Sequence, residues 1–154
     1  MKKYLKVFCL FLLVIIGCVA CGKKELISTD EFKASMESYG LDIYDITDEY
    51  EYEDEYSLTS AVIAANDDYQ INYFSFEDSE MALAVFEEEK ELIDESSSAK
   101  HSTTSVQVGD YCKYSTTADD YYYIVVRNDN TIIHAEVPES EKDTVQNIFK
   151  GFGY

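Results

Sequence analysis

The chain has 154 residues, a formal net charge of −19, fourteen tyrosines, no tryptophan and a single proline. So acidic a body repels phosphate backbones, which makes nucleic acid a poor partner. Its apolar content suits one folded domain rather than a disordered chain.

Met1-Lys2-Lys3 gives the chain a positive start, and an apolar run from Val7 to Ile16 follows. Small residues and cysteines come next, in Gly17-Cys18-Val19-Ala20-Cys21-Gly22, and then Lys23 and Lys24. This is the three-part layout of a secretory signal, and its apolar run is well short of the roughly 20 residues of a permanent bilayer span. The ending resembles the lipobox of bacterial lipoproteins, in which a small residue precedes a cysteine that is diacylated and becomes the new N-terminus. Two registers fit. Ile15-Ile16-Gly17-Cys18 supplies the aliphatic residue three places before the cysteine, whereas Cys18-Val19-Ala20-Cys21 sits at the sharp change from apolar to polar sequence. The resemblance implies an export signal over 1–21, lipidation at Cys21 or Cys18, and anchoring at the extracytoplasmic face of the cell membrane. Two acyl chains suffice for stable anchoring where one does not. The alternative is an unlipidated signal peptide with incidental cysteines.

Removing the signal takes away Lys2, Lys3 and Lys6 and no acid, so the formal charge falls from −19 to about −22 over about 130 residues. A body of that charge repels an anionic bilayer, and the lipid is expected to hold it there while the body stands away. Cys112 is then the only cysteine in the body, and a lone thiol in a strand pattern reads as a small buried hydrophobe.

Residues 22–28 read as a short tether. Ser28 and Glu31 stand at capping-box spacing, and Phe32, Met36 and Tyr39 share a face of the helix that follows, which Gly40 ends. Strands are expected over 41–47, 58–65 and 69–76, the last two joined by a turn at Asn66-Asp67-Asp68. Between the first two lies the alternating stretch Glu49-Tyr50-Glu51-Tyr52-Glu53-Asp54-Glu55-Tyr56. Asp78 caps a long helix over 79–95, with Met81, Ala82, Val85, Phe86, Leu92 and Ile93 as its apolar stripe. A polar loop leads to a strand region over 103–115, where Gly109 suggests a bulge or bend. Strands over 121–127 and 131–137 form a hairpin at Asp129-Asn130, Pro138 ends the second, and a last helix carries Val145, Ile148, Phe149 and Phe152 inward.

The order α-βββ-α-βββ-α predicts an α+β domain over 29–154, an antiparallel sheet of about six strands with helices on one face. Val62-Ile63-Ala64-Ala65-Asn66-Asp67 and Ile124-Val125-Val126-Arg127-Asn128-Asp129 each precede a strand and an acidic helix, a spacing compatible with internal duplication.

Chemistry-bearing motifs are sparse. His101 lies in a serine-rich segment, and His134, alternating with Ile133 and Ala135, is expected on an outer face. There is no nucleophile elbow, clustered zinc-ligand spacing, phosphate-binding glycine loop or dinucleotide fingerprint, so neither a catalytic residue nor a cofactor is assigned. The stretch 49–56 is the candidate interaction segment. Its carboxylates could gather calcium, though without the spacing of an EF-hand; its tyrosines suit a protein contact; its charge also suits a strand edge. The expected function is a non-enzymatic binding module held at the membrane by lipid, with an unknown extracytoplasmic protein or small ligand as partner. The alternatives are a cell-envelope hydrolase and a calcium-binding surface protein. The body resembles the small surface lipoproteins of Gram-positive bacteria whose function is unassigned, which implies no site.

Overall fold

The computed structural model describes residues 24–50, 57–97 and 100–154. Helix α1 (Thr29–Ser38) precedes strands β1 (Asp42–Asp45), β2 (Leu58–Ala65) and β3 (Gln70–Phe76). Helix α2 (Ser79–Ser96) leads to β4 (Lys100–Val108), β5 (Tyr111–Ala118), β6 (Tyr121–Asn128) and β7 (Thr131–Pro138), and α3 (Lys142–Gly151) closes the fold. The strands form one antiparallel sheet in the order β1-β2-β3-β7-β6-β5-β4. The α+β class with an antiparallel sheet stands as expected from sequence.

Local chemistry explains most of the boundaries. The Ser28 hydroxyl accepts from the Glu31 amide while the Glu31 carboxylate accepts from the Ser28 amide, so the capping box forms in full. The Asp78 carboxylate accepts from the Met81 amide at 2.8 Å and starts α2. The Asn66 side chain accepts from the amides of Asp68 and Tyr69, which tightens the β2–β3 turn.

Two expectations need correction. The sheet has seven strands rather than about six, because the interruption at Gly109-Asp110, read as a bulge or bend, is a hairpin turn. Gly109 has φ +58°, a left-handed conformation that glycine adopts at little cost. The helices also cover both faces. Phe32 and Met36 of α1 and Val145, Ile148 and Phe149 of α3 pack with Val62, Tyr73, Tyr122, Ile124 and Ile133 on one side. Ala82, Phe86 and Ile93 of α2 pack with Phe76, Tyr114, Tyr123, Val125 and Ile132 on the other. The central residues of β6 are apolar in both registers, so each face needs its own cover. The two segments that suggested duplication become the hairpins β2–β3 and β6–β7, but the helices after them go to opposite faces. Their similarity is one of local sequence and not of placement.

The segment read as a tether is held from Lys24 onward. The buried Asn128 amide donates to the backbone carbonyls of Glu25 and Lys24 and reaches the Tyr154 hydroxyl at 3.1 Å. The Tyr73 hydroxyl donates to the Ile27 carbonyl. The two ends of the described chain are thus clasped together over the end of β6.

Arg127, 4 % exposed, is the buried cation of the α2 layer. Its guanidinium donates to the Ser79 carbonyl at 2.9 Å and to the Asp110 carbonyl at 3.2 Å, joining the start of α2 to the β4–β5 turn. A lysine cannot hold both carbonyls in that fork. Arg127→Lys is expected to lose about 1.5–3 kcal/mol, the worth of charge-assisted hydrogen bonds, as read by urea unfolding.

Candidate functional site

Helix α2 carries more apolar surface than the sheet beneath it covers. Ala82, Phe86 and Ile93 are buried, but Leu92, on the flank of the same stripe, is 53 % exposed. Below it, Leu58 of β2 and Phe74 of β3 are only partly buried, as is Val85. Together with Tyr50 they line a cleft of about 240 Å³ between α2 and the β2–β3 hairpin, and Glu88 and Glu89 stand on its rim. An apolar floor beneath carboxylates suits an apolar side chain that has a positive charge beside it. The volume falls below the roughly 300 Å³ at which small-molecule pockets begin, which favours a side-chain-sized guest.

Tyr50 ends the short 3-10 turn Thr47–Glu49, and Leu58 opens β2. The acid-and-tyrosine segment therefore leaves and rejoins the described fold at the lip of this cleft. Glu49 is exposed beside it. Glu51, Tyr52, Glu53, Asp54, Glu55 and Tyr56 lie outside the described residues, as do both candidate lipidation sites, Cys18 and Cys21. Among the described residues no group of three or more His, Cys, Asp or Glu side chains is placed to hold a metal ion.

His134 corrects the sequence reading. It lies beneath α2, with Nδ1 3.5 Å from the Glu89 carboxylate. The outer-face expectation assumed helices on one side of the sheet only; α2 covers the other side and takes His134 with it. Among the described residues the buried Nε2 has no hydrogen-bond partner, and neither does the Oδ1 of Asn72, its cross-strand neighbour. Burial pushes the imidazole pKa down, while the carboxylates of Glu89 and Glu136 pull the other way.

Cys112 is 1 % exposed, with its Sγ 4.0 Å from an Arg127 guanidinium nitrogen, and no hydrogen bond joins it to His134 among the described residues. It packs in the α2 layer as the small hydrophobe expected. The His101 side chain lies outside the described residues.

Sequence reasoning found the residues at the mouth of the cleft and missed its floor. Leu92 was assigned inward with the rest of its stripe. The signal that could have exposed it is the width of that stripe: Leu92 and Ile93 are adjacent, so they point about 100° apart on a helix, and only one can face the sheet squarely.

The depressed His134 pKa sets a pH dependence. The unfolded chain takes up a proton near pH 6.5, the ordinary histidine value, and folded His134 resists it until lower pH. Stability must therefore fall as pH drops from about 6.5 towards the folded value. The carboxylates act in a lower window: Asp45, held down to about 2 by Lys33 and Thr47, loses its contribution only as pH falls below the usual carboxylate range. The melting temperature should thus decline between pH 7 and 5.5. In His134→Gln that decline should be flatter, judged from each protein's own slope in calorimetry.

Comparison with protein-family models, curated proteins and solved structures gives no match.

Proposed function

We propose that this protein is a lipid-anchored extracytoplasmic binding module whose contact surface is the cleft between α2 and the β2–β3 hairpin. The observation that carries the binding reading is Leu92, a large apolar side chain left half-exposed above partly buried Phe74 and Leu58. An apolar patch with a charged rim is the usual chemistry of a protein contact. The carboxylates of Glu88 and Glu89 and the exposed Glu49 select a partner presenting an apolar side chain among basic ones. Tyrosine suits such a surface because its ring gives contact area and its hydroxyl tolerates water. The anchoring reading rests on the signal-and-lipobox pattern ending at Cys18 or Cys21. Among the described residues no helix is long and apolar enough to cross a membrane.

Two measurements test the two parts separately. Growth with a radiolabelled fatty acid should label the protein, and Cys18→Ala/Cys21→Ala should abolish the label; retention in that double variant defeats the anchoring reading. A photo-cross-linking residue at Val85 should join an envelope protein in cells, whereas one at Glu37, far from the cleft, should not. Leu92→Glu should suppress the Val85 product. It should also leave folding stability within about 0.5 kcal/mol, because a surface change away from packed features costs little. Equal cross-linking at Val85 and Glu37 would remove the cleft from consideration.

A further inference from the structure

A second concave surface lies on the opposite face of the sheet, at its other end. Strands β4 and β5 extend beyond the cover given by α1 and α3. The result is a groove of about 700 Å³, lined by Val106 and Val108 of β4, Tyr111 and Lys113 of β5, and Lys24 and Tyr154 from the clasped ends. Val106 and Val108 are 39 % and 70 % exposed.

The groove's charge runs against that of the whole chain. Lys24 stands 4.1 Å from the Tyr111 ring centroid, a cation–π contact, and also donates to the Gly153 carbonyl. Lys113 is partly buried and makes no hydrogen bond or ion pair among the described residues. Burial above all, with smaller contributions from the positive charges of Lys24 and Lys150, pushes its pKa down; Lys24 and Lys113 both line the groove. Asp110 is the acid on the wall, and it is already engaged. In a chain of net charge −19, a partly buried lysine with no counter-ion is the reverse of what general solubility requires.

The groove also has a fixed position relative to the proposed anchor. Lys24 is three positions after Cys21, and an extended chain spans at most about 3.6 Å per residue, so Lys24 lies within about 11 Å of a lipidated Cys21. Lipidation at Cys18 doubles the limit to about 22 Å. The backbone of Lys24 is itself held by Asn128, which leaves little freedom for the domain to swing away.

We propose that this groove is a docking surface for the anionic headgroups of the bilayer that carries the anchor, with Lys24 and Lys113 of its lining, helped by Lys150 outside it, taking headgroup phosphates while Val106, Val108 and Tyr111 enter the interfacial layer. Lysines near a negatively charged leaflet are attracted to it within a Debye length, and amphipathic aromatic rings favour the headgroup level. The rest of the acidic body is repelled from the same leaflet, so attraction and repulsion together set one orientation. The inference rests on the anchoring reading and names what lies against this face once the anchor is in place.

The test uses the lipidated full-length protein reconstituted in vesicles. A fluorophore is placed at Val108→Cys or, as the outward control, at Glu91→Cys, and quenching by brominated lipid is read. In vesicles of phosphatidylglycerol and phosphatidylethanolamine, the label at 108 should be quenched at least about threefold more than the label at 91. That difference should collapse in phosphatidylcholine vesicles, in high salt, and in Lys24→Glu/Lys113→Glu/Lys150→Glu. Lys113→Gln, a milder variant, should halve it should the triple variant fold poorly. Protein that does not float with the vesicles overturns the anchoring reading and this inference with it. Protein that floats but shows equal quenching at the two sites, or a difference untouched by charge reversal, overturns the inference alone. Quenching lost on adding millimolar glycerol phosphate at constant ionic strength would assign the groove to a soluble phosphate and likewise overturn docking.

Discussion

The fold depends on the need to cover both faces of the central strands. Every residue of β6 from Tyr122 to Asn128 is buried, so one layer of helices cannot satisfy it. Tyr122, Ile124 and Val126 go to α1 and α3, and Tyr123, Val125 and Arg127 go beneath α2. The cost falls on the polar groups carried along in the second register. Arg127 finds two backbone carbonyls and becomes a clamp. Among the described residues Arg127 Nε, His134 Nε2 and Asn72 Oδ1 each remain buried without a partner, a defect of the kind that persists when neighbouring apolar burial outweighs it.

How much of this was legible depends on how local each signal is. Caps, turns and hairpins come from residues within a few positions of one another, which is why the Ser28–Glu31 box, the Asp78 cap and the Asp129 turn could be read directly. The separation of β4 from β5 could not. In β4 only Val106 and Val108 interrupt the polar run that begins at Thr103, too short an apolar face to tell a bulge or bend at Gly109 from a reversal there. The two-sided packing was written in the run Tyr122-Tyr123-Ile124-Val125-Val126. A continuous apolar run marks a strand buried on both faces as well as a strong strand. The outer-face expectation for His134 rests on the second meaning alone.

The candidate sites show the same division. Tyr50 and the acids after it announced themselves by composition, but the cleft they border is built by Leu58, Phe74, Val85 and Leu92, from three separate elements. The groove was less visible still. Lys24, Lys113 and Tyr154 are spread over most of the chain, and only the Asn128 clasp and the β4–β5 hairpin bring them together. A net charge of −19 hides such a feature, because a total says nothing about where the few cations gather.

The two surfaces are also related to each other. The cleft lies on the α2 face near β2 and β3, while the groove lies on the α1 and α3 face near β4 and β5. They are separated by the thickness of the sheet and by most of its width. In the proposed arrangement, seating the lysine groove against a bilayer turns Glu88, Glu89 and Leu92 away from it. A partner with basic residues would otherwise be drawn to the same anionic leaflet, and its approach to the cleft would compete with the membrane itself. Orientation by the groove removes that competition: the acidic rim, facing outward, is the first dense negative charge such a partner meets, and long-range attraction then favours the protein over the lipid behind it.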